Sequence, residues 1–205
     1  WEPGVGVALT RPGADDAAAG DWTARAGRRW MAVVENGPPA AGGAALTLDA
    51  AAFAADRSMG LAWIDGLLRR TAAREPHLGC LGLHEWAMVY RQGEHRHPLP
   101  LRLGQEGTDA VVDGAAIRCT HYDAYRFFTP SAAPLNRLRP SRENRPALEQ
   151  PACLHANMDL LKWSLKLGPA VPGDLLLDCF ELARDVRVLD MEASPDECRD
   201  LGYSV

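Results

Sequence analysis

Apolar and polar positions alternate differently in three parts of the chain. Trp30 to Val34 is apolar and partly β-branched, Glu35-Asn36-Gly37 supplies turn chemistry, and Ala44 to Leu48 reads as the returning strand. Asp49 is placed to cap an Ala-rich helix ending near Asp56 or Arg57, and Ser58 to cap a second one. In that second helix Leu61, Ile64, Leu67 and Leu68 share a face, Arg69, Arg70 and Arg74 suit the C-terminal end, and Pro76 stops it. Trp63 reads as core. The run Cys80 to Tyr90 reads as a strand entering the core, with shorter strands at Leu99–Leu103 and Asp109–Val112. Beyond Gln150 the pattern is helical. Asn157 or Asp159 caps a helix that Gly168-Pro169 ends, and Asp174 caps a longer one. Leu175, Cys179, Leu182, Val186 and Leu189 make its predicted buried stripe, widened by Leu176, Phe180 and Ala183.

Residues 1–28 and 130–151 read as loop-rich. Pro3-Gly4-Val5-Gly6 invites comparison with the hairpin of helix-hairpin-helix glycosylases, but the helical pattern, lysine and distant aspartate of that motif do not follow. A Gly-rich turn before a short strand is the reading taken. Strands and helices do not alternate as βαβ units. The expected fold is therefore α+β: one domain over residues 1–205, with a small, mostly antiparallel sheet from about 30–48 and 80–128 packed by helices.

With 205 residues, 47% hydrophobic and 24% charged, the chain can bury a core without staples. It opens at Trp1 rather than Met, so a preceding segment is expected. No apolar run approaches the roughly 18 residues that cross a bilayer, so no membrane partner is expected. The 5 cysteines are odd in number and scattered, which suits a reduced, cytoplasmic protein. A net charge of −5 fits a small substrate better than a long duplex. Walker, Rossmann and Gly-x-Ser-x-Gly motifs are missing.

The densest chemistry lies in Ile117 to Thr129, where Cys119-Thr-His121-Tyr-Asp123 is followed by Tyr125, Arg126 and two phenylalanines. Cys153-Leu-His155, with Asn157 and Asp159 beyond it, echoes the Cys-x-His spacing, and His84-Glu85-Trp86 adds a third histidine beside a carboxylate. Two chemistries fit. His84, Cys119, His121, Cys153 and His155 are a metal-ligand set suited to zinc, since residues i and i+2 of an extended chain share a face. Alternatively, His121, Asp123, His155 and Glu85 act as acids and bases without metal. His95 and His97 in a charged loop read as solvated. Arg137, Arg139, Arg142 and Arg145 make the one locally basic stretch, a solvated loop or a phosphate contact.

His84-Glu85-Trp86-Ala87-Met88-Val89-Tyr90, Arg118 to Thr129 and Glu149 to Asp159 resemble a family of bacterial proteins usually labelled 3-methyladenine DNA glycosylase. The resemblance runs over nearly the whole chain. It implies hydrolysis of an N-glycosidic bond to a nucleobase, in DNA or in a free nucleoside or nucleotide. Such an enzyme stacks the base on aromatics and stabilises a cationic sugar with a carboxylate. On that reading Trp86, Tyr122, Tyr125, His84, Arg126, Asn157, Asp159, Arg137 and Arg139 bind substrate, with Phe127 and Phe128 as further stacking rings. The rival readings are a zinc- or iron-dependent hydrolase or oxygenase using the His/Cys set, and a non-enzymatic protein that binds a small ligand. His84, His121 and His155 are expected to converge on one cavity.

Overall fold

In a computed structural model the structure describes residues 8–10, 24–34, 44–95 and 98–204. The fold is α+β. Strands β1 (Ala8–Thr10), β2 (Met31–Val34) and β3 (Ala45–Leu48) form an antiparallel sheet in the order β1-β3-β2. Met31 pairs with Leu48 and Val34 with Ala45, the hairpin pairing expected from the sequence, while Ala8 pairs with Thr47. The turn at Glu35 to Gly37, the Pro3 to Gly6 stretch and His97 lie outside the described residues.

Seven α-helices follow among the described residues: α1 (Ala50–Ala72), α2 (Leu83–Val89), α3 (Gly104–Gly114), α4 (Tyr122–Tyr125), α5 (Arg145–Leu148), α6 (Leu154–Leu167) and α7 (Gly173–Glu192). The chain divides into two compact units. Residues 1–64 and 161–179 form one, which holds the sheet; residues 65–160 and 180–205 form the other, which holds every candidate site residue. No described helix is long and apolar enough to cross a membrane.

The sheet is smaller than the sequence suggested, because the expected strands after residue 80 are helical. Leu83, Trp86, Ala87 and Tyr90 recur at i, i+3, i+4 and i+7, and Trp86, Ala87 and Tyr90 are buried. A short continuous apolar run fits a strand or a buried helix equally well, and here the helix is formed. Gly82 starts α2 at φ +72°, where an added Cβ would lie 2.6 Å from the Ala193 Cβ. Asp109 to Val112 lies within α3, where Thr108 and Val112 are buried one turn apart. Leu101 keeps only a single bridge, to Asp196.

Three helix readings also change. Asp49 does cap, its Oδ1 accepting from the Ala52 amide at 2.8 Å, but α1 then runs through Ser58 without a break. Trp63 is 40% exposed rather than core, edge-on to Trp163 at 5.3 Å. α6 begins before Asn157: the Cys153 carbonyl accepts from the Asn157 amide, and the Asn157 side chain donates to the carbonyls of Pro151 and Cys153. In α7 the predicted stripe is rotated. Leu175, Leu182 and Leu189 are exposed, while Leu176, Cys179, Ala183, Val186 and Asp190 are the sheltered positions. The sheltered seam ends on a carboxylate, which an apolar pattern cannot announce.

The core of the second unit gathers Trp86, Ala87, Tyr90, Val112, Ile117, Cys119, Ala124, Phe128 and Ala132. Through it runs the extended segment 117–121. Its backbone is satisfied outside any sheet: Arg118 donates to the Gly79 carbonyl, the Ile117 carbonyl accepts from Arg137, and the Asn136 amide bonds both N–H and C=O of Cys119. This clamp holds Cys119 and His121 in the core.

Candidate metal and catalytic centre

His84, His155 and His121 do converge. The His84 and His155 rings meet edge to face at 4.6 Å, and His155 and His121 lie 5.4 Å apart. Around them the polar atoms sort into two groups with different chemistry.

In the first group α2 supplies His84 and Glu85, α6 supplies His155, and α7 supplies Asp190. Their donor atoms all lie within 4.8 Å of one another. His84 Nδ1 is 3.2 Å from the Cys80 carbonyl one turn earlier, which fixes the proton on Nδ1 whenever the ring is neutral. Nε2 is thereby turned toward Asp190 Oδ1 at 3.0 Å and Glu85 Oε1 at 3.5 Å. Neither His84 Nε2 nor Asp190 Oδ1 forms a directed hydrogen bond among the described residues, although both are buried. Ligands about 2.1 Å from a tetrahedral ion stand roughly 3.4 Å apart, so the spacing suits a divalent cation.

Charge tells the same story. Burial opposes a charge on His84, but Asp190 and Glu85 outweigh it and raise the ring to about 10. Burial acts against the Asp190 carboxylate too, but His84 dominates the net result and lowers it. Arg187 Nη1 holds the other Asp190 oxygen at 2.8 Å. His155 goes the opposite way: burial, then the neighbouring His84 and His121, lower it to about 4. It is a neutral imidazole, the form that ligates metals.

In the second group the ion is already present as a side chain. The Arg145 guanidinium bonds Glu149 through Nε, Asp123 through Nη1 at 3.2 Å and Asp159 through Nη2 at 2.6 Å. Nη2 also lies 3.0 Å from His121 Nε2, which stands 3.1 Å from Asp159 and 3.2 Å from Glu149. The donors His121, Glu149 and Asp159 are close enough for a metal, but Arg145 already balances their charge.

The first group opens on a cleft of about 640 Å³ lined by Glu85, Met88, Gln92, Asp123, Phe127, His155, Arg187 and Asp196 among others, a volume suited to a small organic ligand. Of the aromatics expected to stack a base, Phe127 lines this cleft, 43% exposed. Trp86 is buried and donates its indole N–H to the Ala193 carbonyl, and Phe128 packs in the core against Tyr125. Tyr122 lies under Arg142 at 5.8 Å. Arg126 stacks on Phe127 and reaches Asp123 at 3.9 Å. Asn157 serves its own helix end. Arg139 donates to the carbonyls of Pro134, Asn136 and Leu138, and Arg137 is exposed.

Four residues central to these groups carried little signal in the sequence. Arg145 and Glu149 show an i, i+4 spacing that could have been read as an ion pair. Asp190 was hidden by the misplaced stripe on α7, and Cys80, which joins Cys119 and Cys153 beside the histidines, stands outside the Cys-x-His echo. No family model, curated protein or solved structure matches this chain.

The low value of His155 has a consequence for stability. The unfolded chain binds a proton near pH 6.5 that the folded protein resists until about pH 4, so stability falls as pH drops through that window. The loss is up to about 3 kcal/mol from this ring. His84 works in reverse: its contribution is complete below about 6.5 and disappears as pH rises through about 10. Between pH 7.5 and pH 5 the two effects oppose each other, so in urea unfolding His155→Asn should gain stability relative to the wild type as the pH is lowered. The same change with pH in both proteins rules out a depressed His155.

Proposed function

We propose that this chain is a metal-dependent hydrolase of a small organic substrate, with His84, Glu85, His155 and Asp190 holding a divalent ion such as zinc or iron at the edge of the cleft. The carrying observation is that the donor atoms of these four residues, brought by three helices, all lie within 4.8 Å of one another, with His84 Nε2 and Asp190 Oδ1 buried and 3.0 Å apart. Two imidazoles and two carboxylates are a borderline-to-hard donor set, suited to first-row divalent ions. The Cys80 carbonyl and Arg187 support the two central ligands from behind, as partners of metal ligands commonly do. A bound ion would supply an activated water and polarise the scissile group. Glu85, Glu94, Asp123 and Asp196 line the cleft beside Arg187, a balance that favours a neutral or cationic substrate over a polyphosphate.

A second reading is supported by Asp123, Glu85 and the Phe127 ring sharing this cleft. A base stacked on Phe127 with a carboxylate under its sugar is the arrangement the glycosylase resemblance implies. Two measurements separate the readings. Chelation should abolish turnover of the metal enzyme, and Asp123→Asn should cost it at most about 100-fold, because Asp123 only orients neighbours. For metal-free glycosidic cleavage, chelation should change nothing and Asp123→Asn should remove nearly all turnover. Activity against nucleosides that survives chelation decides for the second.

A further inference from the structure

Three of the 5 cysteines stand together, and neither the metal nor the acid–base chemistry above uses them. Cys80, Cys119 and Cys153 all border a small, unsealed cavity of about 10 Å³ beside the histidines. That is room for a molecule about the size of water. We propose that Cys80 and Cys119 form a peroxide-reactive dithiol, in which a hydroperoxide entering this cavity oxidises the pair to a disulfide.

Backbone pairing brings these two cysteines together. The Arg118 amide donates to the Gly79 carbonyl at 2.9 Å, and Cys119 and Cys80 are the next residues along each chain. Backbones bonded in this way run roughly 5 Å apart. A disulfide spans Cα atoms about 4.4–6.8 Å apart, so the spacing suits a bridge. Asn136 fixes Cys119 from its own side, through both the amide and the carbonyl. Both thiols are free, and hydrogen bonding between them raises Cys80 well above the ordinary range and lowers Cys119. That asymmetry suits an attacking sulfur beside a resolving one. Cys153 borders the same cavity but bonds the amides of its own helix, those of His155 and Ala156.

The cavity also offers partners to the oxidant. Thr120 and His121 border it and are buried, and Thr120 Oγ1 and His121 Nδ1 have no hydrogen-bond partner among the described residues. Buried polar atoms without partners carry a free-energy cost that a small polar guest relieves. A hydroperoxide can bond both, whereas a bulky oxidant such as glutathione disulfide cannot enter so small a space. In the first step the Cys119 sulfur attacks one peroxide oxygen and the O–O bond breaks, giving a sulfenic acid and water or an alcohol. The Cys80 sulfur then attacks the sulfenic sulfur, closing the S–S bond and releasing water. The peroxide takes up both electrons, and both thiol protons leave on its oxygens. Cys80 also touches His84, whose Nδ1 lies 3.2 Å from its carbonyl and 3.7 Å from its sulfur. Closing the bond therefore disturbs a proposed metal ligand; this consequence rests on the metal reading, whereas the disulfide does not.

The test is oxidation of the fully reduced wild-type chain with graded hydrogen peroxide, then thiol labelling and peptide mapping by mass spectrometry. A linked Cys80–Cys119 peptide should accumulate while Cys153, Cys179 and Cys198 still label as free thiols. Dithiothreitol should restore both thiols, and glutathione disulfide at the same concentration should leave the pair reduced. In Cys80→Ser the bridge is lost, and dimedone should trap Cys119 as its sulfenic acid. The wild-type mapping decides the matter even if that variant fails to fold. Peroxide that leaves Cys80 and Cys119 reduced, joins either of them to Cys153, or carries Cys119 to a sulfinic acid without a bridge overturns the proposal. So does equal oxidation of the pair by glutathione disulfide. Each of these outcomes leaves the metal reading of the cleft standing.

Discussion

Arg145→Met should destabilise the protein by about 3–5 kcal/mol, the range seen when one partner of a buried ion pair is removed. Arg145 is 8% exposed, and Glu149, which it pairs through Nε, is 2% exposed. Asp123 and Asp159 share the same guanidinium. Without it three carboxylates face one another around His121, one of them with almost no access to water. Arg145→Lys should recover little, because an ammonium is a point charge that cannot bond three carboxylates in a plane. A second substitution, Glu149→Gln, should partly restore stability by removing the most buried of the orphaned charges. Chemical unfolding of the single and double variants gives the coupling directly. A loss below about 1 kcal/mol would mean that the cluster is solvated and behaves as a surface network.

The other large effect is expected at Asp190. Asp190→Asn keeps the shape of a fully buried side chain that touches His84 Nε2 and Arg187. It removes the charge that, with Glu85, keeps His84 protonated in the metal-free protein and that completes the proposed ligand set. Zinc affinity at the cleft site should fall by more than about 100-fold, beyond the usual cost of losing a merely orienting partner. Turnover should fall with it, and excess metal should restore part of it. Affinity should also depend on pH in the wild type, because metal must displace the His84 proton, and binding weakens as pH falls. Wild-type zinc affinity in both Asp190→Asn and His155→Gln would end the metal reading of this site.

The three histidines illustrate how much of the site was legible. Each sits beside a carboxylate or cysteine in an apolar or aromatic stretch, and that local chemistry was enough to expect convergence. Their partners were not legible. Asp190 lies far along the chain from His84, and its local neighbour Arg187, three residues earlier, marks it as a helix-surface ion pair rather than as a partner of the histidines. Arg145 reads locally as one of several loop arginines available to phosphate, whereas in the fold it is the cation of a buried cluster. A sequence window reports what a side chain can do; its solvent access and its distant partners decide what it does.

The same division runs through the fold. By itself the sequence determined the β2–β3 hairpin, the Asp49 cap and the existence of long helices near the C-terminus. In each case the deciding interactions lie within a few residues: alternation, turn chemistry, a capping oxygen. It determined the α+β class as well. Only the tertiary structure decided that 83–89 and 104–114 are helices and which side of α7 is sheltered. A short apolar run satisfies strand and helix periods equally, and a helix rich in leucine on several faces does not declare which one its neighbours cover. Tertiary packing also separated the predicted ligand set, leaving His84 and His155 among carboxylates beside the cleft and the thiols against a small cavity that the histidines also line. That separation depends on Gly82 starting α2 and on Asn136 clamping Cys119, so that helices and an extended segment distant in sequence meet at the three imidazoles.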